Sequence, residues 1–219
     1  VNPSGVFRAP RADGPYHAPM AKRVLQDKYF RKAKTEGYVA RSAFKLKELQ
    51  QKFELIQRGG RVLDLGCSPG SWLQVAAEYV GRKGLLVGVD LKPTAVSLPC
   101  TCHTIVGDLN DLDTDSIIEL AGERFDTVLS DIAPNTTGHG DDLVSAHLCR
   151  SVLAVAERVL KPGGRLGMKI FDGAEYQDVL TETKFRFMQA KGFKPDATRD
   201  VSREMYIVAR GFKGKGLDA

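Results

Sequence analysis

Short apolar runs and longer amphipathic stretches alternate along most of the chain. Arg61–Leu65, Leu85–Leu91, Thr104–Val106, Phe125–Ser130 and Arg165–Phe171 read as strands, because β-branched and other apolar residues cluster there between glycine, proline or acidic residues. Helices are predicted over Ser71–Val80, Thr114–Leu120, Val144–Leu160 and Tyr176–Ala190 from the spacing of their apolar positions. Lys161–Gly164 reads as a turn, and a terminal β pair ends at Met205–Ala209. Upstream, Lys22–Phe53 is helical, with Ser42 placed as an N-cap before Phe44, Leu46 and Leu49. Apolar strands separated by amphipathic helices specify a parallel sheet covered on both faces, so the expected fold is α/β and doubly wound.

Composition narrows the class. With 42% hydrophobic and 27% charged residues over 219, the chain has enough apolar material for one domain with a modest appendage. No apolar run approaches the roughly twenty residues needed to span a bilayer, which excludes a membrane-spanning helix. Cys67, Cys100, Cys102 and Cys149 lack the paired spacing of a zinc site, so reduced thiols and a cytoplasmic location are expected. Residues 1–19, rich in proline and glycine, read as a flexible leader with Met20 as a native start; an organelle transit peptide is the alternative. The expected organisation is a basic helical segment at 20–55, an α/β domain at 56–212 and a flexible tail at 213–219. A monomer is expected.

The net charge of +5 matters through its placement. Lys22, Arg23, Lys28, Arg31, Lys32, Lys34, Arg41, Lys45, Lys47 and Lys52 crowd one stretch that carries only Asp27, Glu36 and Glu48 against them. A concentrated cationic face binds polyanions by counterion release, although a solvated helix face has the same composition.

Candidate chemistry gathers at strand ends, where ligands of doubly wound sheets bind. The loop after the first strand, Asp64-Leu65-Gly66-Cys67-Ser68-Pro69-Gly70-Ser71-Trp72, has glycines that let backbone approach a ligand but lacks the middle glycine of dinucleotide folds. Asp90 closes the second strand, suited to two ribose hydroxyls, and Asp108 follows the third, suited to an adenine amino group. Each could instead cap the next element, but together with the glycine loop they outline a nucleoside site. Asp131 follows the fourth strand ahead of Pro134. Lys169 stands inside the apolar fifth strand, a costly position unless its ammonium finds a partner or a cleft. Glu204 begins the last strand, and Lys45 lies in the basic helix.

Gly37-Tyr38, Arg41-Ser42-Ala43-Phe44-Lys45-Leu46, Asp64-Leu65-Gly66, Pro69-Gly70-Ser71-Trp72, Ser130-Asp131-Ile132-Ala133-Pro134-Asn135, Lys161-Pro162-Gly163-Gly164, Lys169-Ile170-Phe171 and Ser202-Arg203-Glu204-Met205-Tyr206 resemble the FtsJ/RrmJ ribose 2′-O-methyltransferases, in order from about Asp27 to Gly211. The resemblance implies a Rossmann-like class I methyltransferase with a mostly parallel seven-stranded sheet and an antiparallel C-terminal strand. It implies S-adenosyl-L-methionine as cofactor, with contacts at Gly66, Gly70, Trp72, Asp90, Asp108 and Asp131. It also implies a catalytic tetrad of Lys45, Asp131, Lys169 and Glu204, and a uridine of large-subunit (23S-type) ribosomal RNA, free or in the subunit, as substrate.

Methyl transfer to a 2′-hydroxyl needs in-line alignment and loss of the hydroxyl proton. Lys169 could take that proton as a neutral amine, or stay charged and stabilise the developing alkoxide; Asp131 and Glu204 would orient the lysines. No metal is implied, as His17, His103, His139 and His147 lack ligand spacing, and His139 is a possible substrate contact. Competing expectations are the tRNA anticodon-loop branch of the same family, a catalytically silent RNA-binding assembly factor, and a nucleotide-dependent dehydrogenase.

Overall fold

The computed structural model describes residues 20–94, 96–134, 140–198 and 202–214, with side chains from residue 28 onward. The leader, residues 215–219 of the tail, Asn135, His17 and His139 lie outside the described residues, as do the side chains of Lys22, Arg23 and Asp27. The described chain runs α1 (Met20–Thr35), α2 (Ala43–Phe53), β1 (Arg61–Leu65), α3 (Ser71–Val80), β2 (Leu85–Asp90), β3 (Thr101–Val106), α4 (Thr114–Ala121), β4 (Phe125–Ser130), α5 (Asp141–Val159), β5 (Leu160–Phe171), α6 (Tyr176–Arg186), β6 (Phe187–Phe193) and β7 (Glu204–Phe212). The strands form one sheet in the order β3-β2-β1-β4-β5-β7-β6, with β7 antiparallel to both neighbours. The order reverses between β1 and β4, so the loops after these two strands face each other at the carboxyl edge.

Strand alternation sorts the core into two layers. Leu63, Leu65, Val87, Val89, Leu166, Met168, Ile170, Ile207 and Ala209 pack against α5 and α6. Val62, Leu86, Leu129, Tyr206 and Val208 pack against α2 and α3, through Leu46, Leu49, Trp72 and Leu73 among others. Asp64, Lys169 and Glu204 share the parity of this second layer, so the polar members of three strands turn toward α2 and α3.

Three expectations need correction. The helical reading of Lys22–Phe53 breaks into α1 and α2 around Gly37, whose φ of 78° ends the first helix. Ser42 occupies the N-cap position of α2 without capping it, because its hydroxyl pairs with Ser71 Oγ at 2.8 Å. The helix read as Tyr176–Ala190 stops at Arg186; Phe187 turns inward and starts β6, its ring 5.4 Å from that of Phe212. A smaller change is that Lys161–Gly164, read as a turn, forms an irregular start to β5, where the β4 register shifts between Phe125 and Thr127.

Candidate active site

Lys169 is buried yet partnered. Its Nζ donates to the Asp131 carbonyl oxygen at 2.6 Å and ion-pairs with Asp131 Oδ1 at 3.1 Å. Lys45, in the first turn of α2, is equally buried and donates to Glu204 Oε2 at 2.7 Å, a contact between residues 159 apart in sequence. Tyr206 joins the two pairs. It lies opposite Lys169 in the β5–β7 register, its hydroxyl donates to Asp131 Oδ1 at 2.7 Å, and Lys45 Nζ stands 6.0 Å from its ring centroid. Trp72 stacks on the far side of this assembly, 5.9 Å from the Tyr206 ring at 30°. Two lysines and two acids therefore close around one phenol.

The electrostatics follow from that packing. Burial pushes the Glu204 carboxyl up, but the Lys45 and Lys169 cations and the Lys45 hydrogen bond outweigh it, leaving Glu204 below the ordinary glutamate range. Tyr206 is held well above the usual phenol value by burial, then by the Asp131 and Glu204 charges, so its hydroxyl stays a donor. The lysine side chains are about 5% exposed, whereas Asp131 retains 17% and Glu204 20%; the solvent-facing rim of the assembly is acidic.

The loops beside it come from β1 and β2. Gly66 has φ of 78° and its amide donates to Val89 O at 2.8 Å. A Cβ there would stand 2.3 Å from Ile132 Cγ1, so glycine is required where this loop crosses the Asp131 loop. Gly70, with φ of 110°, is required for the same reason against Val96. Protein fills the side of both glycines that a Cβ would occupy, so loop crossing also requires glycine at these two positions, which the resemblance implies as cofactor contacts. Asp90 accepts from Ser68 N and Lys92 N, both at 2.9 Å, which fixes the loop after β1. Asp108 Oδ1 accepts from Asn110 N at 2.9 Å and Asn110 Nδ2 at 3.0 Å, so the capping role weighed for it is realised. Trp72 is 2% exposed and its Nε1 donates to Ser42 O at 3.0 Å; it supports the site from the core.

Asp64 is a buried acid that the sequence reading passed over. It is fully buried at the end of β1, and neither carboxylate oxygen has a hydrogen-bond partner among the described residues. Burial, then the Asp131 and Asp90 charges, raise it well above the carboxylate range. Three acids thus converge where β1, β2 and β4 end, and among the described residues only Asp131 of the three is paired with a cation. The signal in the sequence was an acid inside the apolar strand Val62-Leu63-Asp64-Leu65, parallel to the lysine anomaly in β5. Tyr206 was passed over as well, being one more aromatic in a strand.

The basic segment is less free than its composition suggests. Lys47 pairs with Glu36 at 3.3 Å and Glu78 at 3.7 Å and lies 4.5 Å over the Tyr38 ring, while Lys32 lies 4.7 Å over Phe44. No helix among the described residues is long and apolar enough to cross a membrane.

The strand order, the single antiparallel strand, and acids at the ends of β1, β2 and β4 around a glycine-bearing loop define a class I methyltransferase fold. The FtsJ-like methyltransferase profile matches residues 38–212, and the chain belongs to that family. It is 45% identical over 195 residues to a "Ribosomal RNA large subunit methyltransferase E" of Desulfatibacillum aliphaticivorans, covering 88% of this chain and 94% of the relative. A protein of the same name from Methanobrevibacter smithii is 41% identical over 192 residues, covering 86% and 91%. Among solved structures, a ribosomal RNA methyltransferase of Plasmodium falciparum superposes with a TM-score of 0.72 at 29% identity, over 81% of this chain and 100% of that one.

Proposed function

We propose that the chain transfers a methyl group from S-adenosyl-L-methionine to the ribose 2′-hydroxyl of a uridine in large-subunit ribosomal RNA. The observation that carries this reading is the pair of lysine–acid contacts, Lys169–Asp131 and Lys45–Glu204, closed around Tyr206 beside the β1 and β2 loops. The names of the relatives support large-subunit ribosomal RNA over the tRNA anticodon loop.

The donor set fits the cofactor. Its ammonium and sulfonium are cations, and Asp64, without a hydrogen-bond partner among the described residues and beside Asp90 and Asp131, is an acid that a cation would stabilise. Asp90 and Asp108 would hold its ribose and adenine through the lone pairs their loop contacts leave free, and the Gly66–Gly70 turn would shape the wall between them. When bound, S-adenosylmethionine supplies an electrophilic methyl on a positively charged sulfur.

The protein's own residues do the rest. Asp131 accepts from Lys169 twice, through its carbonyl and Oδ1, which fixes Nζ in direction as well as place. Two N–H groups so engaged leave one tetrahedral position of Nζ for the 2′-hydroxyl. As the neutral amine, Lys169 takes the hydroxyl proton there; as the ammonium, it stabilises the forming alkoxide. Glu204 neutralises Lys45 and fixes it against Tyr206, and the basic α1–α2 segment faces the RNA.

Lys169→Ala is expected to abolish methyl transfer to ribosomal RNA while S-adenosylmethionine affinity by calorimetry changes less than about threefold. Turnover at the wild-type rate would overturn the assignment. In the wild type, a kcat rising with pH marks Lys169 as the base, and a flat profile gives it the charged role.

A further inference from the structure

A second site lies on the same face of the sheet, away from the reacting groups. Lys52 and Phe53 at the end of α2, Lys191 on β6, and Val208 and Arg210 on β7 line a cavity of about 300 Å³. Its walls are cationic around an aromatic floor. Lys52 Nζ lies 4.3 Å over the Phe193 ring and Lys191 Nζ 4.7 Å over the Phe53 ring, while the two rings meet edge to face at 5.2 Å. Among the described residues the lysines are thus held by rings and pair with no acid. Arg210 Nε is buried without a hydrogen-bond partner among the described residues, and its nearest acid, Glu54, is 3.9 Å away and 80% exposed. Arg165, paired with Arg210 across the β5–β7 register, is lowered by burial and then by the Arg210 charge, another sign of cations in excess.

We infer that this cavity binds a backbone phosphate of the RNA substrate, a few nucleotides from the methylated ribose. This rests on the reading of the chain as an RNA methyltransferase. Distance along the fold supports it. Lys52 is seven residues beyond Lys45 on α2, about 10 Å of helix, and Arg210 six residues beyond Glu204 on β7, about 20 Å of strand. At about 3.4 Å per nucleotide of a stacked strand, that is roughly three to six nucleotides. Lys52 and Lys191 are exposed at this hollow, and Arg210 adds its charge to the wall. A phosphodiester would accept from both lysines. The floor rings have lysines on their faces, so a phosphate and not a stacked base is the group that fits.

The test is the double variant Lys52→Ala/Lys191→Ala, neither residue being part of the reacting assembly. Affinity for a ribosomal RNA fragment is measured by fluorescence anisotropy across salt concentrations, and methyl transfer is measured in parallel. The slope of log K against log salt should shrink by about 0.7, the share of one phosphate contact on single-stranded RNA. The RNA KM should rise at least fivefold, with kcat at saturating RNA and S-adenosylmethionine affinity within twofold of wild type. Lys52→Arg/Lys191→Arg should keep the wild-type slope, which separates charge from packing. An unchanged slope and KM in the alanine variant overturns the inference, as does a fall in kcat alone. A wild type that transfers no methyl group, while the alanine variant still shows the expected slope change on RNA, refutes the catalytic reading and leaves this site standing.

Discussion

Replacing Glu204 by glutamine keeps the side chain's shape and removes its charge. Lys45 would then remain about 5% exposed with an amide in place of its carboxylate at 2.7 Å. Removing one partner of a buried ion pair costs about 3–5 kcal/mol, because a desolvated charge is left behind. Glu204 retains one-fifth of its exposure, so the lower end, about 3 kcal/mol, applies. In a chain of 219 residues that lowers Tm by about 6–12 °C. The assay is urea unfolding followed by the fluorescence of Trp72, the chain's one tryptophan, which stacks on Tyr206 within the assembly. Removing both charges, in Glu204→Gln/Lys45→Met, should recover most of the loss, since the cost lies in the orphaned cation. The pH dependence adds a second check. Glu204 titrates below its unfolded value, so its contribution is complete above the ordinary glutamate range and is lost as pH falls through the lower folded value. The wild-type advantage over Glu204→Gln should therefore hold at neutral pH and shrink on acidification. A loss under about 0.5 kcal/mol, or a double variant as unstable as the sum of the singles, would refute the reasoning.

Other expectations follow from the same geometry. Tyr206→Phe removes the hydroxyl from Asp131 but keeps the ring on Trp72, and should cost about 1.5–3 kcal/mol by urea unfolding, as hydrogen bonds to charged groups do; no measurable loss would mean that the phenol does not tie the two pairs. Asp64→Asn should weaken S-adenosylmethionine binding at least tenfold by calorimetry while leaving the cofactor-free protein as stable or more so. Because Asp64 is raised, the cofactor-free wild type should lose stability as pH climbs above the ordinary carboxylate value, and the asparagine variant should lack that slope. Gly66→Ala places a methyl 2.3 Å from Ile132 Cγ1 at positive φ and should destabilise by about 2 kcal/mol or more, with calorimetric unfolding as the measure.

Much of this was legible in the chain, for reasons that differ by residue. Lys169 stood out because a lysine within an apolar strand demands a partner, and Asp131 supplies it twice. Asp90 and Asp131 were readable from their positions after apolar runs. The Lys45–Glu204 contact was not, since nothing local links residues 159 apart; resemblance alone brought them together. Asp64 was quoted within a loop and missed as a buried acid, because its burial depends on α2 and α3 covering that face. Trp72 was read as a cofactor contact from the resemblance alone; its stacking on Tyr206 and its hydrogen bond to Ser42 O depend on tertiary packing that no local pattern shows. The end of α6 failed because Tyr176–Ala190 keeps helical spacing while Phe187 gains more by joining the core with Phe212.

The place of β7 has a consequence for how the protein comes into being. The most C-terminal of the described strands is not at the margin of the sheet but between β5 and β6, and it carries Glu204 and Tyr206. A nascent chain stalled before residue 204 has its first six strands synthesised, yet β5 and β6 have no partner between them and Lys45 has no counter-charge. Such a fragment has unpaired edges that invite chaperones or proteolysis. The closing of the β5–β6 gap and the pairing of Lys45 therefore arrive together, with the synthesis of residues 204–212.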